Sequence, residues 1–522
     1  MRTFLILVLI ALNLSPEART QERIIVTSVA NDGAGSLREA ILKANKAETR
    51  TFIIFSDAIG HEVTLTSDLP DIENAMEIRG QRNSSPQTAL HFTASDYITN
   101  GLNVSADDVT ISGLHIYGYR DSGIVIDEAD NVRVLDSIVG GDNYSGSLQL
   151  GNGITIRRSA NALIAGNEIS GNRGNGIAVT GTAALPDNVA ASDFFLRSKE
   201  DVIASYDIRE KIIATVPMGN HTFIKNAIGV IFDEGWKSGN KGGGISIDHS
   251  SGNQIGGGWE DGNLVSNNGI YGIKISGQYS EGNVIQGNRI GTDRHGVTAR
   301  PNRRAGILIF NSGRNLIGGE LGSTGNLISG NGRHGINIDG SATRPALTSA
   351  LGGCGFSREN EVSGNLIGTD LLGEEPLPNG KHGVLIFVAG NNQVGGDAGH
   401  QRNIISANKE NGVLIIGANL KSLDWRDYVR IPDSREELKT NIRCVGPQHS
   451  TAVAKNRIIG NTIGLSKSLS GFLPNGKNAV TIRHAHDNEI VKNEIAPSSR
   501  SISIAGRTAV NNVISLNSER ER

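Results

Sequence analysis

The stretch 360–417 decides how the chain is to be read. It opens Asn360-Glu-Val-Ser-Gly-Asn365-Leu-Ile-Gly-Thr-Asp370, crosses a polar loop and reaches Gly383-Val-Leu-Ile386. A second pass follows at once: Asn392-Gln-Val-Gly-Gly396, Asn403-Ile-Ile-Ser-Ala-Asn408, then Gly412-Val-Leu-Ile-Ile416. In each short segment branched aliphatics recur at period two, the pattern of a strand. Asn and Gly, which tolerate the left-handed backbone of tight corners, bound every segment. Short strands and Asn/Gly corners repeated in a fixed order describe a β-solenoid.

Copies extend in both directions. Asn-x-(Ile/Val)-x-x-Asn begins at Asn263, Asn283, Asn326, Asn456, Asn488 and Asn512. Gly-Ile-x-(Ile/Val) or a near relative begins at nine glycines between Gly123 and Gly412, with Ala479 heading a degenerate last copy. Ile-Gly-Thr-Asp starts at Ile290 and Ile367, with a worn copy at Ile463. Apart from inserted loops, one coil takes roughly 22–35 residues. The 67 glycines lack collagen's every-third-residue period, and aromatics make up only 4% of the 522 residues, so the core is stacked aliphatics. A net charge of −3 gives no whole-chain nucleic-acid footprint, so any charge-based function sits on a local stripe.

Residues 1–21 read as a secretory signal: Arg2 precedes an apolar run from Phe4 to Leu14, too short to span a membrane, with Ala18 beyond it. The expected mature product is soluble and exported (extracellular, periplasmic or at the cell surface), without membrane insertion. Cys354 and Cys444, the two cysteines, both fall in long insertions, where pairing and two free thiols are both open.

Residues 22–100 read as an N-terminal cap and first coils, and 101–522 as repeats. Strands are expected at 24–29, Thr51–Phe55, 63–65, 76–78 and 109–116. Ser36-Leu-Arg-Glu39 is a capping box, and the helix it starts puts Leu37, Ala40, Ile41 and Ala44 on one face. Ser36-Leu-Arg-Glu-Ala-Ile41 followed by Ala44-Asn45 resembles the segment that opens many secreted bacterial β-helix proteins. That family often has Cys before the Ser; here it is Gly35. From about Gly101 to Asn517 the repeats resemble the right-handed parallel β-helix of the pectate-lyase-like superfamily. The resemblance implies an all-β, single-stranded right-handed parallel β-helix with an N-terminal capping helix. It is specific for fold rather than activity, because the repeated residues are structural. The asparagines are expected to stack in corners and bond backbone.

Three insertions interrupt the repeats, at about 182–218, 341–358 and 418–452. All follow a Gly-Ile-x-Ile strand and so are expected along one edge, side by side. Loops on one edge of a rigid scaffold are where function is usually found.

On the Gly-Ile-x-Ile sheet the aliphatics after each Gly point inward. The alternate residues face out, as in Ser246/Asp248, Lys274/Ser276, Leu308/Phe310, Asn337/Asp339, Leu385/Phe387 and Leu414/Ile416. Leu385, Phe387, Leu414 and Ile416 make an apolar patch that calls for a cover, with 418–452 the nearest segment. The two residues before each Gly read Arg304-Ala305, Arg333-His334, Lys381-His382 and Glu410-Asn411 on four successive coils. This stacks Arg304, Arg333 and Lys381 at a spacing suited to carboxylates or sulfates, beside His334 and His382. The same residues also fit plain solvated corners.

On this scaffold polysaccharide lyases abstract a proton α to a uronate carboxylate with a Lys or Arg base. Lys274 is the candidate base, and a Lys274–Asp248 surface pair is the alternative. His334 and His382, expected to stay neutral beside the cations, are candidates for proton exchange. Asp339 and Trp425 join Arg304, Arg333 and Lys381 as candidate substrate-binding residues. Trp236 and Trp259 also offer faces for a sugar or for packing. No cofactor is called for. Ca2+ is left open, since Asp248, His249 and Asp339 show no dedicated ligand spacing. The Asp-Pro-His-Asp motif of alginate epimerases and the polygalacturonase set are missing. The sequence therefore points to a secreted β-helix protein that binds an acidic polysaccharide, with lyase or hydrolase cleavage open. Its alternative is a non-catalytic surface or matrix protein, and oligomeric state is not legible.

Overall fold

The computed structural model describes residues 22–81, 88–93, 99–141, 151–181, 219–230, 239–277, 279–341, 357–417, 454–497 and 501–519. The signal segment, the bodies of the three insertions, Cys354, Cys444, Trp236 and Trp425 lie outside the described residues.

The chain winds through three parallel sheets of 15, 14 and 12 strands. One coil visits them in turn: Leu316–Gly318 in the first, Leu327–Ile328 in the second, Ile336–Asp339 in the third. The next strand, Glu361–Ser363, returns to the first sheet and pairs in parallel with Leu316–Gly318. Parallel crossovers of this kind are right-handed, and the molecule is a right-handed parallel β-helix.

Side chains of each strand alternate between the bore and the outside. Ile336, Ile338, Val384, Ile386, Val413 and Ile415, all expected inward, are all 0% exposed. Ile338 sits between Ile309 and Ile386 on the adjacent strands. Like residue stacks on like for the length of the solenoid, and one apolar cluster runs from Val26 to Ile495. β-Branched side chains suit this pile because few rotamers are lost on a pleated, crowded surface.

Three buried columns of asparagine close the corners. Asn365 shows the bonding. Its Oδ1 accepts the backbone N–H and the Nδ2 of Asn326, at 3.0 and 2.9 Å. Its own Nδ2 donates to Asn403 Oδ1 at 3.0 Å and to the Ile317 and Ser363 carbonyls at 2.9 Å. The corner amides thus satisfy one another and backbone N–H groups, such as that of Asn326, that the bends leave out of the sheets. The glycine of Gly-Ile-x-Ile has a related cause: a Cβ on Gly335 would meet Ile367 Cγ2 at 2.9 Å and the Gly383 carbonyl oxygen at 2.7 Å. Coil passes over coil too closely there for a side chain.

At the N-terminal end the helix Leu37–Ala44 packs on the strands Glu22–Val26 and Thr51–Phe55. Leu37, Ala40, Ile41 and Ala44 are buried as its pattern requires. Ser36 Oγ accepts the Glu39 N–H at 3.2 Å, while Glu39 reaches back to the Gly35 N–H at 2.6 Å rather than to Ser36. Gly35 itself holds φ +76°, and Thr27 occupies the place a Cβ would take, so Cys would not fit. The first strand covers Glu22–Val26 instead of 24–29, and 109–116 divides into Thr110–Ser112 and Leu114–Tyr117. Thr88–Phe92 and Asn100–Val104 are strands beyond those expected.

Candidate functional site

The outer face of the third sheet carries the candidate residues, and its register is the one the glycines imply. Ser246 pairs with Lys274, Lys274 with Leu308, Leu308 with Asn337, Asn337 with Leu385, and Leu385 with Leu414. Strands ending at Thr180, Asp339 and Ile416 precede the three insertions, so all three leave the same end of the same sheet. The edge before the glycines is equally regular. Arg333 N–H donates to the Arg304 carbonyl at 2.9 Å and Lys381 N–H to the Arg333 carbonyl at 2.6 Å, one cation per coil. Glu410 N–H continues the column to Lys381, and Lys477 N–H to Glu410, both at 2.9 Å. Lys477 stands two residues before Ala479, the degenerate last copy, and was not counted with the ladder in the sequence.

The face divides into an open part and a buried part. In the open part Lys274, Asp248 and His249 are all partly exposed. Asp248 takes 3.0 Å from His249 Nδ1 on one oxygen and accepts the Ser276 hydroxyl at 2.7 Å on the other. Burial alone would raise this carboxyl; the bonds from His249 and Ser276, with Lys274 nearby, hold it below its ordinary value. His249 Nδ1 is committed to the carboxylate, which leaves Nε2 as the ring's base-competent nitrogen. Arg304 lies over the Tyr271 ring, 5.9 Å from its centre, with the Tyr271 hydroxyl 3.4 Å from Nη1. Tyr271 was missed in the sequence, since nothing in the repeat sets a lone Tyr apart; Asp248 and His249 were named there as ion-ligand candidates, and the structure pairs them with each other.

In the buried part His334 is 2% and His382 1% exposed, their rings stacked 5.2 Å apart at 14°. This departs from the expectation of two imidazoles open to a substrate. Neutrality is kept for a different main reason as well. Burial comes first for His334, with His382, Lys381 and Arg333 adding to it, and drives its pKa well below the ordinary value. Burial, opposed by Glu410 and aided by Lys381, Lys477 and Arg483, pushes His382 down to about 4. His382 Nδ1 accepts the Asn411 N–H at 3.1 Å, which puts the proton of the neutral ring on Nε2. That nitrogen is 3.3 Å from Glu410 Oε2, though bent too far for a hydrogen bond, so the contact is electrostatic. Glu410 also pairs with Lys477 at 3.2 Å.

Asp339 is buried too, and burial raises it to about 6 against two bonds from Ser341, at 2.9 Å from N–H and 2.6 Å from the hydroxyl. Leu385, Phe387, Leu414 and Ile416 are at most 4% exposed, although they point away from the bore. Trp259 is packed rather than presented, with Arg289 over its ring at 5.3 Å. Among the described residues no group of three or more His, Cys, Asp or Glu could hold a metal ion, and no helix is long and apolar enough to cross a membrane.

Both ring nitrogens of His334 lack a partner. A buried polar group without one costs about 1–3 kcal/mol. His334→Phe, which keeps a flat ring against His382, is therefore expected to raise stability by about 1 kcal/mol at neutral pH. The gain should widen with acid. A histidine whose folded pKa is depressed binds its proton more tightly when unfolded, so wild type loses stability as pH falls below about 6.5. Urea melts of both proteins at neutral pH and at mildly acidic pH measure this; a less stable Phe variant at both would show that the ring nitrogens are bonded.

The family model described as right handed beta helix region matches residues 80–195. No curated protein sequence is significantly similar to the chain. Among solved structures, the chain is similar to the A-module of the Azotobacter vinelandii mannuronan C-5 epimerase AlgE4, at 13% identity and a TM-score of 0.43, over 91% of this chain and 93% of that one. A Dettilon tailspike protein aligns at 12% identity and a TM-score of 0.45, over 93% of this chain and 68% of its own. A mutant of the periplasmic alginate epimerase AlgG aligns at 12% and 0.44, over 94% and 90%. At such identities and scores none of these bears on chemistry. The sheet order and the family match agree on the architecture: the chain is a right-handed parallel β-helix.

Proposed function

We propose that this protein binds an acidic polysaccharide along the edge of its third sheet, through Arg304, Arg333 and Lys381. The observation that carries the reading is the backbone column joining these residues, which sets one cation on each of three successive coils. Coils repeat at about 4.8 Å, close to the length of one sugar, so a polymer with a carboxylate or sulfate on each unit meets a cation at each step. The apolar run near the N-terminus, read as an export signal, would take the protein to where such polymers lie.

Cleavage is a separate step, and the open group of Lys274, Asp248 and His249 is the place for it. Lys274 is the candidate base, opposite Ser246 on the strand that ends in Asp248. Trp425 keeps its assignment to substrate, Asp339, 5% exposed and bonded by Ser341, would reach one only if uncovered, and Ca2+ dependence stays part of the test. One observation favours the alternative of a non-catalytic surface or matrix protein: His334 and His382 are buried. The absorbance of unsaturated uronates in a product assay, run with and without Ca2+, separates lyase from binder.

Binding is tested by replacing Arg333 and Lys381 together with Ala. Affinity for an acidic glycan is expected to fall about tenfold or more, a loss of at least about 1.4 kcal/mol. Melting temperature should hardly move, because neither side chain is in the core. Wild-type binding should weaken with salt, since exposed charges are screened within about 8–10 Å. Normal binding by the double variant, or equal binding of neutral glycans in high salt, would overturn the proposal.

A further inference from the structure

The three-residue ladder is the middle of something longer. Between the second and third sheets runs one of the asparagine columns: Asn172, Asn240, Asn268, Asn302, then Asn331, Asn379, Asn408 and Asn475. Each amide donates to the next at 2.9–3.0 Å. Eight coils at about 4.8 Å make a column about 34 Å long. The two residues after each asparagine come to the surface at this corner, in two parallel columns.

Their composition is unlike the rest of the chain. Arg173, Lys241, Arg303 and Lys409 directly follow a ladder asparagine. Arg304, Arg333, Lys381 and Lys477 stand one place further on. Six of the remaining positions are glycine, and only Ile270 and Glu410 are anything else. The glycines have a structural cause, as a Cβ on Gly332 would press on the Arg303 carbonyl and one on Gly380 on that of Gly332. The cations have no such steric cause: at an exposed or half-exposed corner any polar side chain would fit, although Arg304 also rests on Tyr271 and Lys477 on Glu410. Over the whole chain acids outnumber Lys and Arg, 53 to 50. These sixteen positions hold eight cations and one acid, Glu410, which is paired with Lys477.

We infer that this corner is an extended polyanion track, running parallel to the solenoid axis from Arg173 to Lys477, which takes a linear acidic polysaccharide of about seven sugars. The inference rests on the proposed function and enlarges its site. The ligand lies along a corner between two sheets rather than across a sheet face. It is read by the spacing of its charges, with every coil but the one of Gly269 and Ile270 supplying a cation. A single-stranded nucleic acid fits less well, because such strands need a series of aromatic platforms, and among the described residues Tyr271 is the one ring that a track cation lies over. Each exposed ion pair contributes little, so affinity accumulates with the number of coils engaged.

The test uses the full chain with a uronate tetramer and octamer at low salt. Wild type is expected to bind the octamer about tenfold more tightly. A triple variant, Arg173→Ser, Lys241→Ser and Lys409→Ser, leaves the central ladder intact. It should lose the octamer's advantage, hold the tetramer as before and melt at the wild-type temperature. Equal affinities of wild type for the two oligomers, with the tetramer still dependent on Arg333 and Lys381, would overturn the track and leave the shorter site standing. Failure of both oligomers to bind would overturn the acidic-glycan reading and the track with it. Displacement of the octamer by a single-stranded oligonucleotide of equal charge, at equal concentration, would overturn the assignment to a polysaccharide.

Discussion

Ile338→Asp is expected to yield no folded protein. Ile338 is 0% exposed, enclosed in the bore by Ile309 and Ile386 on the adjacent coils. The substitution forfeits about 1.5–3 kcal/mol of apolar burial and places a carboxylate where nothing can pair with it, at a further cost of several kcal/mol. In a solenoid each coil rests only on its neighbours, so the damage also severs the coils before Ile338 from those after it. Ile338→Val is the control and should cost about 1 kcal/mol. Far-UV circular dichroism and resistance to protease give the readout. An Asp variant that melts within a few degrees of wild type would mean that residue 338 faces outward, and the register of the whole sheet would be wrong.

The second large effect lies in a corner. Asn365→Ala removes an amide that is buried and bonded on both sides, leaving the N–H and the Nδ2 of Asn326 without their acceptor and the Ile317 carbonyl without its donor. At about 1–3 kcal/mol for each group left unpaired, a loss of roughly 3–5 kcal/mol is expected. Asn365→Asp should cost more although it is isosteric. The new carboxylate can still accept from Asn326, but it has no hydrogen to offer Asn403 Oδ1 or the two carbonyls, and it is buried as an anion. Protonation restores one donor, so the deficit of the Asp variant should shrink as pH falls while that of the Ala variant stays level. Chemical denaturation across that range measures both. Equal losses for Ala and Asp at every pH would show that the column contributes shape and not hydrogen bonds.

Direction proved easier to read than depth. Period-two alternation anchored on the glycines assigns Asn337, Asp339, Leu385 and Phe387 to the outside of the bore, and the strand pairing puts them there. Alternation says nothing of what lies above a face, which is why the burial of His334, His382 and Asp339 was not legible. The asparagine corners were legible because a buried amide in a repeated position has few other uses. Thr88–Phe92 escaped notice because it lacks the Asn and Gly marks that punctuate the later coils, whereas Asn100–Val104 carries Gly101-Leu-Asn-Val, a copy of the Gly-Ile-x-Val mark that was not counted. The ladder of Arg304, Arg333 and Lys381 was visible by counting back from each glycine. Its extension was not, because Arg173, Lys241 and Lys409 precede their glycines by three residues, one place earlier than the ladder that was counted. The pairs Asn172-Arg173, Asn240-Lys241, Asn302-Arg303 and Asn408-Lys409 were the available signal.

The asparagine columns also govern how such a molecule can change in length. From Asn253 to Asn475 every coil presents the same amide donors to the coil after it and the same acceptors to the coil before it, so the boundary between any two of these coils is interchangeable with the next. A segment that duplicates or deletes one whole coil meets matching partners on both sides and leaves the bonding intact. A change of a few residues inside a strand or corner breaks all three columns at once. Length is thus inherited in whole steps of about 4.8 Å, while irregular additions are confined to exits such as those after Thr180, Asp339 and Ile416. A binding surface laid along the axis would grow or shrink by the same step, one cation at a time, without any redesign of the scaffold beneath it.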